Sequence, residues 1–225
     1  MNEQEFQISS FCGLKEISKQ TCSSCGRKRM YFCYDCRSYM PSTLSLVPTV
    51  ELPYKIDIIK HRNEKNGKST ALHCLLLAPL STTVYDAPKV PDYSSIVGEK
   101  IVFYPSVKAK SIEEFLNDNG KIDRFVFLDA TWFQVGGLLQ LPEVQNLPHV
   151  KLNSYKTLYW RPQVYEYLAT AEAVYYAVRE AYQHDSKIPY DGRFDNLLFW
   201  FFYFRGMVNS SLIEKNFKNR ISSKV

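Results

Sequence analysis

Residues Phe125 to Leu128 form a continuous apolar run, Phe-Val-Phe-Leu, between Arg124 and Asp129. A short run this rich in aromatic and branched residues reads as a β-strand buried on both faces. Such a strand has no face left for solvent, so layers must cover the sheet on both sides. That requirement points to an α/β fold around a mostly parallel sheet. The flanking pattern agrees. Strands are expected at Lys55–Lys60, in Ser-Thr-Thr-Val-Tyr-Asp ending at Asp86, in Lys-Ile-Val-Phe-Tyr before Pro105, and at His149–Leu152. Helices are expected at Ala71–Leu77 behind a Ser69 or Thr70 cap, and from Ser111, with Glu114 three residues on, to Gly120. Others are expected from Trp132 through Leu139, from Thr170 with Glu172 in its first turn, and along the aromatic block Phe194–Phe217.

In open parallel sheets, ligands bind just beyond the carboxyl ends of the strands. Asp129 ends the apolar run at such a place, which makes it the first candidate for chemistry. The plainer reading is that Asp129 or Thr131 caps the helix that follows.

The amino-terminal quarter carries a second signal. Cys22 and Cys25 are spaced C-x-x-C, as are Cys33 and Cys36, with seven residues between the pairs. Two such knuckles supply the four thiolates of a tetrahedral structural zinc site, closed to substrate. The intervening Gly-Arg-Lys-Arg-Met-Tyr-Phe suits a hairpin turning at Gly26. Cys12 and Cys74 have no partner at ligand spacing and are expected to be buried. The chain opens without the basic start and apolar core of a signal peptide, so a reducing, intracellular setting is expected, nuclear and/or cytoplasmic. Its longest apolar stretch, Leu197 to Phe204, is far shorter than the ~20 residues of a membrane span. No membrane association and no obligate protein partner is evident.

With 225 residues and 45% hydrophobic composition, the chain can build a sizeable core. Two units are expected: residues 1–40 with the zinc knuckles and 41–225 with the α/β domain. A net charge of +5 permits a nucleic-acid partner without requiring one. Arg27, Lys28 and Arg29 beside the first knuckle, and His61, Lys65 and Lys68 in the loop after a strand, are candidate phosphate contacts, or else ordinary solvated loops.

Several ordered motifs together resemble the DTW-domain family, the tRNA-uridine aminocarboxypropyltransferases. Asp129-Ala130-Thr131-Trp132 carries the family's Asp-x-Thr-Trp signature. The paired Cys knuckles, the His61 to Thr70 loop, Phe103-Tyr104-Pro105-Ser106, Asn153 to Arg161, and Leu168-Ala-Thr-Ala-Glu172 resemble its other motifs in order. Arg62 departs from the family's usual proline. The resemblance implies a parallel α/β fold related to the SPOUT methyltransferases, in which the chain can knot near the cofactor. It implies S-adenosylmethionine as donor, structural zinc, a tRNA substrate, and transfer of the 3-amino-3-carboxypropyl group to N3 of uridine with methylthioadenosine leaving. It assigns Asp129, Thr131 and Trp132 to catalysis, and Tyr104, Pro105, Ser106, Leu128, Arg161, Thr170 and Glu172 to the cofactor. Two other readings of the same residues are a non-catalytic zinc-containing RNA-binding module and a SPOUT-like RNA methyltransferase.

Overall fold

The computed structural model describes residues 6–159 and 167–208. Four two-residue strands open the chain: β1 (Gln20–Thr21), β2 (Lys28–Arg29), β3 (Phe32–Cys33) and β4 (Ser38–Tyr39). They pair as two separate antiparallel hairpins, β1 with β2 and β3 with β4. Each hairpin closes on one Cys pair. The expected hairpin through Gly-Arg-Lys-Arg-Met-Tyr-Phe is therefore corrected: Gly26, at φ +71°, turns the first knuckle, and the segment after it joins one hairpin to the next. Each knuckle needs its own backbone loop to aim two thiols inward, which splits the strands between them.

The main sheet then forms from β5 (Lys55–Lys60), β6 (Thr82–Asp86), β7 (Lys100–Phe103), β8 (Lys110–Ser111), β9 (Arg124–Asp129) and β10 (His149–Lys151). Its order is β6-β5-β9-β7-β10-β8, and every pairing is parallel. Helices α1 (Ala71–Leu77), α2 (Ile112–Asn119), α3 (Val135–Leu139), α4 (Thr170–Ser186) and α5 (Phe199–Gly206) complete the described fold. Among the described residues, no helix is long and apolar enough to cross a membrane.

The central strand β9 is buried on both faces, as its composition requires. Phe125 and Phe127 enter the large core with Ile56, Ile58 and the α4 residues Val174 and Tyr175. Val126, between them, points to the opposite core with Ile59, Val102 and Leu138. One charged pair lies at the start of this strand: Arg124 reaches Asp57 of β5 at 2.7 Å, and the Asp57 side chain is only 1% exposed. Burial pushes the Asp57 pKa up, and the Arg124 guanidinium opposes that shift.

Helix α2 follows its sequence signals. Ser111 accepts from the Glu114 amide at 3.1 Å, while the Glu114 carboxylate accepts from the Ser111 amide at 2.7 Å. Gly120 ends the helix in the left-handed region, at φ +81°. Two other expectations are corrected. Helix α3 begins at Val135, not Trp132, because Thr131 and Trp132 lie in a turn closed by the Gln134 and Val135 amides on the Thr131 carbonyl. The block from Phe194 is a 3-10 turn, Asp195–Leu198, followed by the short α5. The Asp195 carboxylate accepts from Tyr175, Tyr190 and the Gln7 amide at 2.7–2.9 Å, which pins that turn. The expected continuation to Phe217 runs outside the described residues.

Candidate active site

Three elements meet over the carboxyl end of the sheet. Asp129 is the last residue of β9. Ser69 and Thr70 precede α1, and Thr170 is the first residue of α4. The Asp129 carboxylate accepts from Ser69 Oγ at 2.6 Å on one oxygen and from Thr170 Oγ1 at 2.5 Å on the other. Thr70 Oγ1 accepts from the Ala171 amide at 3.1 Å, which occupies one of the open donors at the start of α4. The two helix starts are thus locked together above the strand end. Among the described residues, Asp129 caps no helix. The capping reading fails because its side chain turns away from α3 and toward these hydroxyls.

Asp129 is buried, and burial raises its pKa above the usual aspartate range, with the two hydroxyls and Lys60 pulling the other way. A carboxylate offers about four lone-pair positions. Two are taken here, leaving capacity for a further donor or two from the cavity that Asp129 lines. That cavity, about 420 Å³, is polar on one side with Lys65, Lys68, Ser69 and Thr70, and aromatic on the other with Trp132, Tyr159 and Tyr167. Thr131 also lines it. Trp132 is 40% exposed and lies against Tyr167 with ring centroids 4.4 Å apart.

A second cavity, about 370 Å³, adjoins the first across Ala130, Trp132, Tyr167, Leu168 and Thr170. It opens at the carboxyl ends of β7, β9 and β10 and is lined by Phe103, Tyr104, Pro105, Leu128, Lys151 and Tyr155, among others. Of the residues assigned to a cofactor, Tyr104, Pro105, Leu128 and Thr170 stand in this wall. Ser106 does not; its hydroxyl pairs with His149 Nδ1 at 2.9 Å. Arg161 lies outside the described residues.

Glu172 is also absent from the wall. It is 1% exposed, with both oxygens engaged: Thr157 Oγ1 at 2.6 Å, the Leu158 amide at 2.7 Å and the Ala169 amide at 2.8 Å. It acts as a buried anchor that holds the segment before α4 against that helix. Burial raises its pKa to about 7, and the three donors and Arg205 oppose the shift. Sequence reasoning saw only an acid in a first helical turn. The long-range donors Thr157 and Leu158 have no local signature.

The basic candidates divide. Arg27, Arg29, Arg62 and Lys65 line a broad hollow between the hairpins and the 61–67 loop, and Lys65 and Lys68 line the Asp129 cavity, so Lys65 joins the two. Arg27 and Arg29 share Asp35 at 2.6 and 2.8 Å. Lys28 and His61 line neither space. His61 instead accepts from the Asn63 amide through Nδ1.

The sulfurs of Cys22, Cys25, Cys33 and Cys36 all lie within 4.8 Å of one another. A tetrahedron with zinc–sulfur bonds of ~2.3 Å has edges of about 3.8 Å, so the cluster suits one zinc ion. The Gly26 amide bonds the Cys22 carbonyl and the Arg37 amide bonds the Cys33 carbonyl, each at 2.8 Å, which shapes both knuckles without any metal contact. Cys74 is buried as expected; Cys12 is exposed, which corrects that expectation, since its segment runs along the surface before the hairpins.

Two outcomes are expected. Purified without chelator, the protein should carry about one zinc per chain by elemental analysis, and Cys33→Ala should lose it and lower the melting temperature. For Glu172, a pKa raised in the folded state means that its contribution is full below the ordinary glutamate range and is lost as pH rises through about 7. The stability of the wild type relative to Glu172→Gln, read from urea midpoints, should therefore be greatest near the low end of this window and shrink toward pH 8.

The DTW domain model matches residues 30–209. A tRNA-uridine aminocarboxypropyltransferase 1 of Xenopus laevis is 32% identical over 92% of this chain and 87% of its own. The proteins of the same name from Homo sapiens and Mus musculus are 32% and 30% identical, each over 88% of this chain and 79% of their own. With the strand, acid, threonine and tryptophan of the signature standing together at the cavity, the chain belongs to the DTW-domain family.

Proposed function

We propose that this chain transfers the 3-amino-3-carboxypropyl group of S-adenosylmethionine to N3 of a uridine in tRNA. The observation that carries the reading is Asp129: a buried carboxylate with spare acceptor capacity, aimed into a polar cavity that opens directly into an aromatic one. The names of the relatives support a tRNA-uridine acceptor.

The aromatic cavity suits the donor. Adenosine needs a flat apolar slot and backbone hydrogen-bonding groups, and Tyr104, Leu128 and Tyr155 at the strand ends supply such a wall. Lys151, in the same wall, is the cation placed to pair with a carboxylate there. Bound in it, the donor supplies a carbon made electrophilic by its sulfonium; the C–N bond to uridine forms as the C–S bond breaks, the electron pair leaving with sulfur. The chain's own task is to set up the acceptor. Uridine N3 carries a proton, and Asp129 accepts it. Ser69 and Thr170 hold the carboxylate in one orientation, so no reorganisation is needed when the proton arrives. Partial desolvation improves the match between a carboxylate and this weakly acidic N–H. Trp132, between the two cavities, is positioned to separate the uracil from the donor's adenine by stacking. In this division of labour, residues 1–40 carry the metal and residues 41–225 carry transfer, with Arg27, Arg29, Lys65 and Lys68 facing the RNA backbone.

Asp129→Asn preserves size and much of the hydrogen bonding and removes the proton acceptor. Transfer to unmodified tRNA, read by nucleoside mass analysis, should fall by ~10²- to 10⁴-fold while donor binding is kept. Because the Asp129 pKa is raised, wild-type transfer should decline as pH falls through a point above the ordinary aspartate range. A methyl gain on uridine would mark a methyltransferase instead, and unmodified uridine with retained RNA binding would mark a binding module. Replacing Lys65 and Lys68 together with Gln should weaken tRNA binding and flatten its salt dependence by about 0.7 to 0.9 in log–log slope per lost phosphate contact. An unchanged slope would remove both lysines from the RNA face.

A further inference from the structure

A third hollow, about 260 Å³, lies behind the Asp129 cavity and shares Lys68, Ser69, Thr70 and Tyr159 with it. The rest of its wall includes Phe32 and Tyr34 of the cysteine hairpins, Gly67 of the loop before α1, His73 of α1, and Phe204 of α5. His73 is its odd member. The ring is 6% exposed and sits between Phe32, at 6.1 Å, and Phe204, at 5.7 Å. Its Nδ1 is sealed from solvent with no hydrogen-bond partner among the described residues. Buried polar atoms of this kind are rare in folded proteins and call for a reason.

We infer that this hollow binds the nucleobase adjacent to the acceptor uridine, stacking it on the aromatic wall and hydrogen-bonding it through the His73 ring. The inference rests on the RNA-modifying reading above. The chemistry of the wall selects the ligand class. Aromatic faces accept any planar base, and with Nδ1 sealed the neutral imidazole meets a base edge through its other nitrogen. A phosphate does not suit the interior, because burial holds the His73 pKa at about 3 and the ring stays neutral. Lys68, on the wall common to both spaces, is where the phosphate linking two neighbouring nucleotides would be met. A protein that must expose one uridine gains by holding the next base as well, since each stacked base stabilises the opened strand.

The test uses an RNA stem-loop whose uridine the intact protein modifies, with an abasic riboside placed on the 5′ or the 3′ side of that uridine. On one side, the abasic substitution should lower kcat/KM of the wild type by about 10-fold or more. His73→Phe keeps the aromatic packing and removes both nitrogens; with intact RNA it should lose several-fold, and its further loss with abasic RNA should be smaller than that of the wild type. Gly67→Leu provides a second variant. It adds a bulky side chain to the hollow's wall, and a Cβ at Gly67 meets only Tyr34, at 4.0 Å, so folding should survive. It should lower kcat/KM with intact RNA and leave directly measured donor binding unchanged. Normal transfer by the wild type to both abasic RNAs would overturn the inference and leave the transferase reading standing. Equal abasic penalties in the wild type and in both variants would overturn it too. Absence of any uridine product from the wild type would overturn both.

Discussion

A carboxylate buried at the end of a central strand must be compensated, and that requirement organises the site. Asp129 cannot remain ionised among apolar neighbours without donors, and β9 offers none. The donors come from the approach to α1 and from the start of α4, through Ser69 and Thr170. Those two positions fix where both helices begin, and the Thr70 link to the Ala171 amide fixes them against each other. The cavities on either side of Trp132 follow from this arrangement. They are the spaces left when two helix starts are drawn over one strand end.

The same logic repeats at Glu172, in the first turn of α4. Its oxygens collect three donors from Thr157, Leu158 and Ala169. A loop that carries backbone donors into the interior needs acceptors there, and a single acid supplies them. The two acids therefore lie on adjoining elements and share one physical cause, burial, which raises the pKa of both. They differ in access. Asp129 lines a cavity, and Glu172 lines neither of the two that meet at Trp132.

Much of this was legible in the sequence where the signal is local. The run Phe125–Leu128 predicts a strand with both faces covered, and Phe125, Val126 and Phe127 alternate between two cores. The capping box at Ser111 and Glu114 is present as written. The Cys spacing predicts a four-sulfur cluster, and the sulfurs converge. What failed depended on partners far along the chain. Ser69 reads as a helix cap, and its hydroxyl does accept from the Ala71 amide at 3.2 Å, but it also donates to an acid 60 residues away, which no local signal announces. Glu172 reads as a first-turn acid and is one, but it is also a buried hub for Thr157 and Leu158, which the local sequence does not announce. The aromatic block from Phe194 shows helical periodicity, but contacts from Tyr175, Tyr190 and Gln7 on Asp195 hold its first turn in a tighter winding. Periodicity reports which face is apolar; it does not report which distant donors will claim a side chain.

The aromatic cluster shared by the hairpins and α5 bears on how the molecule is made. Phe32 packs edge-on against Trp200, and the Tyr31 and Tyr203 hydroxyls bond at 2.7 Å across 172 residues of sequence. On a ribosome adding roughly 5 to 20 residues per second, the cysteine hairpins emerge many seconds before α5 exists. During that interval their rings have no mate and present an adhesive surface. Metal capture can order the sulfurs early, but the outer face of the module must wait for the last described helix. The amino-terminal hairpins are thus completed last, since their aromatic face closes only once residue 204 has cleared the exit tunnel.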